Sequence, residues 1–343
     1  MRFLLSEQVN EISDPVRSKF AMVVPVIEAT LFALNSERIA RLGGLAQWTL
    51  ADLAREYREG SGDAGICFEY AVHDAIARRD RLIWPLASEV LERFCGIPQG
   101  SESLLFGPEK DGRIPVIESV ENALTDDSQL YVGYRGRPPK LKRHVRTIVR
   151  AFRRPDDRTG LPRSMRGVWK ADLFLGNHAV DNWVGTSVKI KRAALEGAPG
   201  LRIGIYPKTH ARDDPRRDEI LNLILLPLPY DGEFMELFYK SFYLVRAFLD
   251  ADARLPAEVR LPDAEDRYIC RELESRRMFP ISAVVEVLRE MSQRDLLKDE
   301  GVAEVRPTAA LSIEAGLESD PPPLPDSEFV SLSPVAEERT GEA

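Results

Sequence analysis

The 343-residue chain is 44% hydrophobic and 30% charged, with a formal net charge of −8, which predicts a soluble globular protein of one large domain or two ordinary ones. The longest apolar runs, such as Leu221 to Leu228, fall far short of the roughly 20 residues of a membrane span, and Ser6, Glu7 and Gln8 cut off the apolar N-terminus before it reaches signal-peptide length. Three cysteines, Cys67, Cys95 and Cys270, fit neither a disulfide framework nor a zinc spacing, so the expected compartment is the cytoplasm and the thiols are read as packing residues.

In chain order, residues 8 to 60 read as helical. Val16, Phe20, Val23, Val24 and Ile27 form one apolar stripe, and Leu50, Leu53 and Ala54 form another after Thr49, a candidate N-cap. Residues 1–62 are taken as a helical N-terminal module, closed by Gly60-Ser61-Gly62. A helix from Gly65 to about Arg79 opens a core assigned to residues 63–250. Residues 96 to 115 are turn-rich, after which the pattern changes. Short apolar runs with β-branched residues, Gln129 to Tyr134, Val168 to Leu175, Trp183 to Ile190, Leu201 to Tyr206 and Leu221 to Leu226, predict strands and a mixed α/β fold. Glu233 to Leu249, apolar nearly all round, predicts a buried helix. Ile281 to Leu297 predicts an amphipathic one within a helical C-terminal part, residues 251–303. The segment from Glu304 to Ala343, with its Pro321-Pro322-Pro323-Leu324-Pro325 run and almost no aromatics, is expected to be a disordered acidic tail.

The charge is segregated. From Tyr134 to Lys170 there are thirteen Lys/Arg against two acids, a balance of +11, and from Asp299 to Ala343 eleven acids against two Arg, a balance of −9. A basic insertion, residues 134–170, thus stands out from a nearly neutral body, the footprint of a phosphate-backbone binder. Within it, Leu141, Val145, Ile148, Val149 and Phe152 predict the apolar face of a helix whose other face carries Lys142, Arg143, Arg146, Arg150 and Arg153. Arg135-Gly136-Arg137-Pro138-Pro139-Lys140 resembles an AT-hook, in which Arg-Gly-Arg lies in a narrow minor groove; a basic connecting loop reads equally well. DNA is the expected partner, with RNA as its competitor and no membrane role. A homodimer or a further protein partner is compatible with the sequence.

Candidate chemistry sits on three segments. On the Gly65 helix, Glu69 and His73 share the stripe of Ile66, Val72 and Ile76, and a carboxylate there needs a cation, either a buried Arg or a metal. The Val168–Leu175 run places Asp172 opposite Trp169, Ala171, Leu173 and Leu175, and Gly176-Asn177 is expected to break it. The Trp183–Lys191 run places Ser187, Lys189 and Lys191 on one face, as an adjacent antiparallel strand. Carboxylates can hold Mg²⁺ against a phosphate while an ammonium stabilises developing charge. No phosphate-binding glycine loop and no Gly-x-Ser-x-Gly elbow is present.

This order of helix Glu, strand Asp and strand Lys, with Val188-Lys189-Ile190-Lys191 ending the second strand, resembles the PD-(D/E)xK nuclease superfamily over roughly Gly65 to Leu226. The resemblance implies a restriction-endonuclease-like mixed sheet flanked by helices, with helical additions at both ends, and a Mg²⁺- or Mn²⁺-dependent DNA endonuclease of a prokaryotic restriction or anti-phage defence system. It makes Glu69 and Asp172 metal ligands, with Lys189 and Lys191 as catalytic lysines. One position departs from the pattern: Ser187 stands where the family has an acid two residues before the lysine, which leaves a catalytically silent DNA-binding subunit as the alternative.

Overall fold

The computed structural model describes residues 14–34, 47–58, 64–111, 120–133, 136–210, 212–229, 233–256, 261 and 263–292. All of these belong to one packing unit. The expected acidic tail, Gly60-Ser61-Gly62, Tyr134 and Arg135 lie outside the described residues.

At the N-terminal end, α1 (Asp14–Ala33) is buried along almost its whole length from Lys19 onward, beyond the single stripe expected from its periodicity. The reason is that it is central: it packs on α3 (Ala64–Ala77), α8 (Glu233–Asp250) and α10 (Ile281–Ser292). Between them, α2 (Leu50–Glu56) starts at Thr49, whose hydroxyl accepts from Asp52 N while Asp52 caps the Thr49 amide, a reciprocal capping box. One hydrophobic cluster runs from Val16 to Leu288 and takes in one face of the sheet. The boundaries expected at residues 62 and 250 therefore fall inside a shared core.

The sheet follows α4 (Ile83–Cys95). Its strands are β1 (Glu102–Leu105), β2 (Gln129–Leu130), β3 (Leu173–Asn177), β4 (Asn182–Val188), β5 (Arg202–Pro207), β6 (Arg216–Asp218) and β7 (Leu223–Leu228), in the order β1-β3-β4-β5-β7-β6, with β2 also pairing β4. β3 and β4 are antiparallel, Leu173 opposite Thr186 and Asn177 opposite Asn182, whereas β4, β5 and β7 run parallel. Two short helices, α5 (Gly107–Asp111) and α6 (Val120–Ala123), precede β2, and α7 (Leu141–Arg153) follows it. The face opposite the main cluster is covered by α7, whose Leu141, Val145, Ile148 and Ala151 pack with Leu130, Phe174 and Trp183. With helices on both faces, β3, β5 and β7 are buried at every residue, as continuous apolar runs require. α9 (Ala264–Ser275) completes the described helices.

Several expected boundaries are corrected. Val168–Lys170 forms a 3₁₀ turn, and the strand begins only at Leu173. Gly176-Asn177 does not break β3 but lies within it, because a Cβ at Gly176 would sit 2.2 Å from the Asn182 carbonyl oxygen and 2.7 Å from the Trp183 ring. That glycine serves close strand approach. The turn-rich 96–115 stretch contains β1, and the expected 129–134 strand shortens to two residues.

Ion pairs with one or both partners buried tie the helices together. Arg289 on α10 meets both oxygens of Glu28 on α1 at 3.0 Å and lies 3.8 Å from Asp74 on α3. Lys19 on α1 meets Asp266 on α9 at 2.7 Å. The three cysteines are buried and unbridged, and burial pushes Cys95 and Cys270 up to about 12. No helix among the described residues is long and apolar enough to cross a membrane.

Burial raises the Glu28 carboxyl to about 7 despite the Arg289 charge beside it. Its contribution to stability is therefore full below the unfolded value and is lost as pH rises through the folded one. Glu28→Gln is expected to flatten the decline in urea-unfolding stability between about pH 5 and about pH 8, whereas identical slopes for variant and parent would contradict a raised Glu28.

Candidate active site

Asp172 is the residue before β3, and its backbone is fixed on both sides. Its amide donates to Thr186 O across the β3–β4 ladder at 2.8 Å, and its carbonyl accepts from the amides of Phe106 and Gly107 at 2.9 and 3.0 Å. The side chain then has one place to go, the end of β4, where Val188 N donates to Oδ2 at 2.9 Å. Lys189, one residue past β4, continues the parallel ladder by donating its amide to Ile205 O. Its ammonium reaches Asp172 Oδ2 and Glu69 Oε1, each at 2.8 Å. Glu69 projects from the second turn of α3, which packs on this end of β4. The three groups lie at the carboxyl end of β4, next to the carboxyl ends of the parallel strands β5 and β7, where open α/β sheets commonly bind ligands.

A fourth member joins them. Lys110, at the end of α5, donates to Asp172 Oδ1 at 3.1 Å and is itself buried, with its ammonium 5.0 Å from the Phe152 ring centroid and 5.9 Å from that of Phe106. No periodic pattern marks this lysine in the sequence. It lies in a polar, turn-rich stretch and is drawn inward only because the Phe106 and Gly107 amides bond to Asp172.

The electrostatics follow from this packing. Burial alone would raise the Asp172 carboxyl, but the ammoniums of Lys110 and Lys189 and the Val188 amide outweigh it, so the group is held below the usual carboxylate range. Glu69 meets the Lys189 ammonium and stands beside the Asp172 charge; burial first, and that charge second, lift it to about 8 against the pull of Lys189 and Lys110. Lys189 is held above the ordinary ammonium range, because the two carboxylates more than offset its burial. It is a permanent cation with one side still open to solvent, its side chain being 32% exposed.

The other expected residues are placed as follows. Lys191 is exposed beyond β4 and has no ion pair among the described residues; the site does not draw it in. Ser187 is buried, donating to Lys170 O at 3.0 Å and accepting from Arg202 at 2.7 Å. Arg202 on β5 is fully buried; burial lowers it to about 10, although Asp172 and Glu196 favour its charge. A lone charge in the Leu201-Arg202-Ile203-Gly204-Ile205 run is a signal the strand reading passed over. His73 meets Ser103 on β1 at 2.9 Å, and burial, then the Arg289 charge, lower it to about 4, so it acts as a neutral packing residue.

On the basic helix, Arg143, Arg146, Arg150 and Arg153 are exposed as expected, and Lys142 is half-buried. Three of the expected cations have acidic neighbours: Lys140 meets Asp127 at 2.7 Å, Arg146 meets Glu121 at 2.8 Å, and Lys142 lies 3.7 Å from Asp126. Arg143 and Arg150 have no ion pair among the described residues, and Arg153 donates to the carbonyls of Lys110 and Glu109. Arg137 is exposed in the loop before α7.

Two carboxylate oxygens each 2.8 Å from one nitrogen lie at most about 5.6 Å apart, a span that a modest movement of Glu69 closes around a divalent ion with bonds of roughly 2.1 Å. The donor set, two largely buried carboxylates, suits Mg²⁺ or Mn²⁺. No group of three or more His, Cys, Asp or Glu side chains placed to hold a metal ion is found among the described residues. Comparison with protein-family models, curated proteins and solved structures finds no match.

Lys189→Met leaves two buried carboxylates facing each other. The variant is expected to lose on the order of 2 kcal/mol of stability above about pH 8 and less near pH 6, where Glu69 takes up a proton. Denaturant unfolding at both pH values checks this, and an equal loss at both would contradict a Glu69 that titrates near 8.

Proposed function

We propose that this chain is a metal-dependent DNA nuclease with a restriction-endonuclease-like fold, and that Glu69, Asp172 and Lys189 form its hydrolytic centre. The observation that carries the reading is the convergence of a helix glutamate and a strand aspartate on one strand lysine, each at 2.8 Å, from positions 120 and 17 residues away in the chain. A surface lysine face would not gather two buried acids in this way. A prokaryotic restriction or defence role is the biological setting that such a centre suits.

Glu69 and Asp172 would hold the Mg²⁺ or Mn²⁺ ion, which when bound supplies Lewis-acid polarisation of the phosphate and a more acidic attacking water. The chain's own groups do the rest. Asp172, ionised and fixed by Val188 N and two ammoniums, is a rigid anionic anchor. Lys189 stays protonated, so it serves as a donor that orients water and stabilises charge on the phosphate, not as a base. Arg143, Arg150 and Arg137 are the basic-face residues free to meet phosphates, and Arg135 would belong with them but falls outside the described residues.

A second reading, a silent nuclease-fold subunit that binds DNA for a partner enzyme, is favoured by one observation. Ser187, where an acid is expected, is turned to Lys170 and to the buried Arg202, so position 187 offers no ligand. Incubation with supercoiled plasmid and Mg²⁺ separates the readings. Nicking that EDTA and Asp172→Ala both abolish is expected; activity that survives Asp172→Ala overturns the assignment, and inactivity with retained duplex binding selects the silent subunit. For binding itself, Arg143→Gln combined with Arg150→Gln is expected to weaken all duplexes alike and to lower the slope of log affinity against log salt by about 2. An unchanged slope would contradict a phosphate-contacting face.

A further inference from the structure

Both oxygens of Asp172 are engaged by protein donors: Oδ2 by Lys189 and the Val188 amide, Oδ1 by Lys110, so the acceptor site left on Oδ1 lies beside the Lys110 ammonium. A divalent ion at Asp172 needs one of them. Oδ2 is tied to the sheet through a backbone amide of β4. Oδ1 is tied only to a side chain on the five-residue helix α5, and that helix is held to the basic helix α7 by Arg153, which donates to Lys110 O at 2.8 Å and to Glu109 O at 3.1 Å. Phe152, also on α7, lies against the same ammonium.

We propose that Lys110 is a built-in counter-cation that competes with the divalent ion for Asp172 and is latched in place by Arg153 of the basic helix; the proposal rests on Glu69 and Asp172 being metal ligands. Charge bookkeeping fits it. With both carboxylates ionised, as ligands of a divalent ion must be, Lys110 and Lys189 against Glu69 and Asp172 sum to zero, so the cluster without metal carries no excess negative charge. A dication added with Lys110 in place leaves +2 in a dry site, which is costly. With Lys110 withdrawn the balance is +1, matched by the single negative charge of a phosphodiester. Arg153 is exposed, so a backbone phosphate that engages its guanidinium draws it from the two carbonyls and loosens α5. Docking of the duplex on α7 is thereby coupled to opening of the metal site, and metal-loaded, substrate-free protein stays scarce.

The test is Mn²⁺ binding to the full chain without DNA, read from the free-ion electron paramagnetic resonance signal, so that it does not depend on catalysis. Lys110→Met, whose thioether can still pack between Phe106 and Phe152, is expected to bind Mn²⁺ about tenfold more tightly than the parent, the size of effect one close charge has on a carboxylate. Arg153→Gln is expected to tighten it less. Lys110→Gln serves if the Met variant fails to fold, with circular dichroism as the check. Equal or weaker Mn²⁺ binding by a folded Lys110 variant overturns the proposal, and tightening by Lys110→Met with none by Arg153→Gln overturns the latch. Asp172→Asn separates the underlying reading. If it abolishes Mn²⁺ binding while Lys110→Met leaves the affinity unchanged, only the counter-cation idea falls; if it leaves Mn²⁺ binding intact, the metal assignment falls as well.

Discussion

A carboxylate buried at the end of an inner strand must be met by cations and amides or it is not tolerated, and the structure around Asp172 is organised by that requirement. Its amide and carbonyl lock the start of β3 to Thr186 and to the Phe106-Gly107 turn, while its side chain gathers Lys189 from the end of β4, Lys110 from α5 and, through Lys189, Glu69 from α3. Two helices and two strands are thus tied at one point. The arrangement makes each partner sensitive to the others: two ammoniums keep Asp172 ionised despite its burial, whereas burial and the Asp172 charge lift its neighbour Glu69 to about 8.

The basic helix owes its role to its position on the sheet. α7 seals the second face with Leu141, Val145, Ile148 and Ala151, so its charged side is left outward and its C-terminal turn rests on α5, next to the charged cluster. Acidic residues of the preceding segment, Glu121, Asp126 and Asp127, temper its N-terminal half. Arg143 and Arg150, which have no ion pair among the described residues, therefore give the proposed nuclease a narrower phosphate track than the full run of lysines and arginines implies.

The elements whose residues share one environment were legible in the sequence. α3, α7, α8 and the Thr49 cap match their periodicity because local pattern and burial agree there. The convergence of Glu69 with Asp172 and Lys189 was legible only through the resemblance to the nuclease superfamily, since an acid in an apolar stripe demands a cation without saying which. What escaped was set by tertiary contact. β1 hides in a stretch dominated by turn residues and exists because β3 pairs with it. Lys110 reads as a solvated loop residue until two amides pull its helix inward. Gly176 reads as a breaker, yet the Trp183 ring and Asn182 carbonyl require its missing side chain. The segment at 168–170 alternates like a strand but coils, and so Asp172 sits at a strand start and not on a strand face.

The central claim is that Glu69 and Asp172, far apart in sequence, share one divalent ion at the end of β4. Loading the protein with Fe²⁺ in place of Mg²⁺ and adding ascorbate and peroxide generates hydroxyl radicals at the bound ion, which cut nearby backbone; fragment masses then report its position. Cuts clustered near residue 69 and near residues 172 and 189, lost together in Asp172→Asn, are the predicted result. Cuts elsewhere, or none above those in the Asp172→Asn variant, would contradict it.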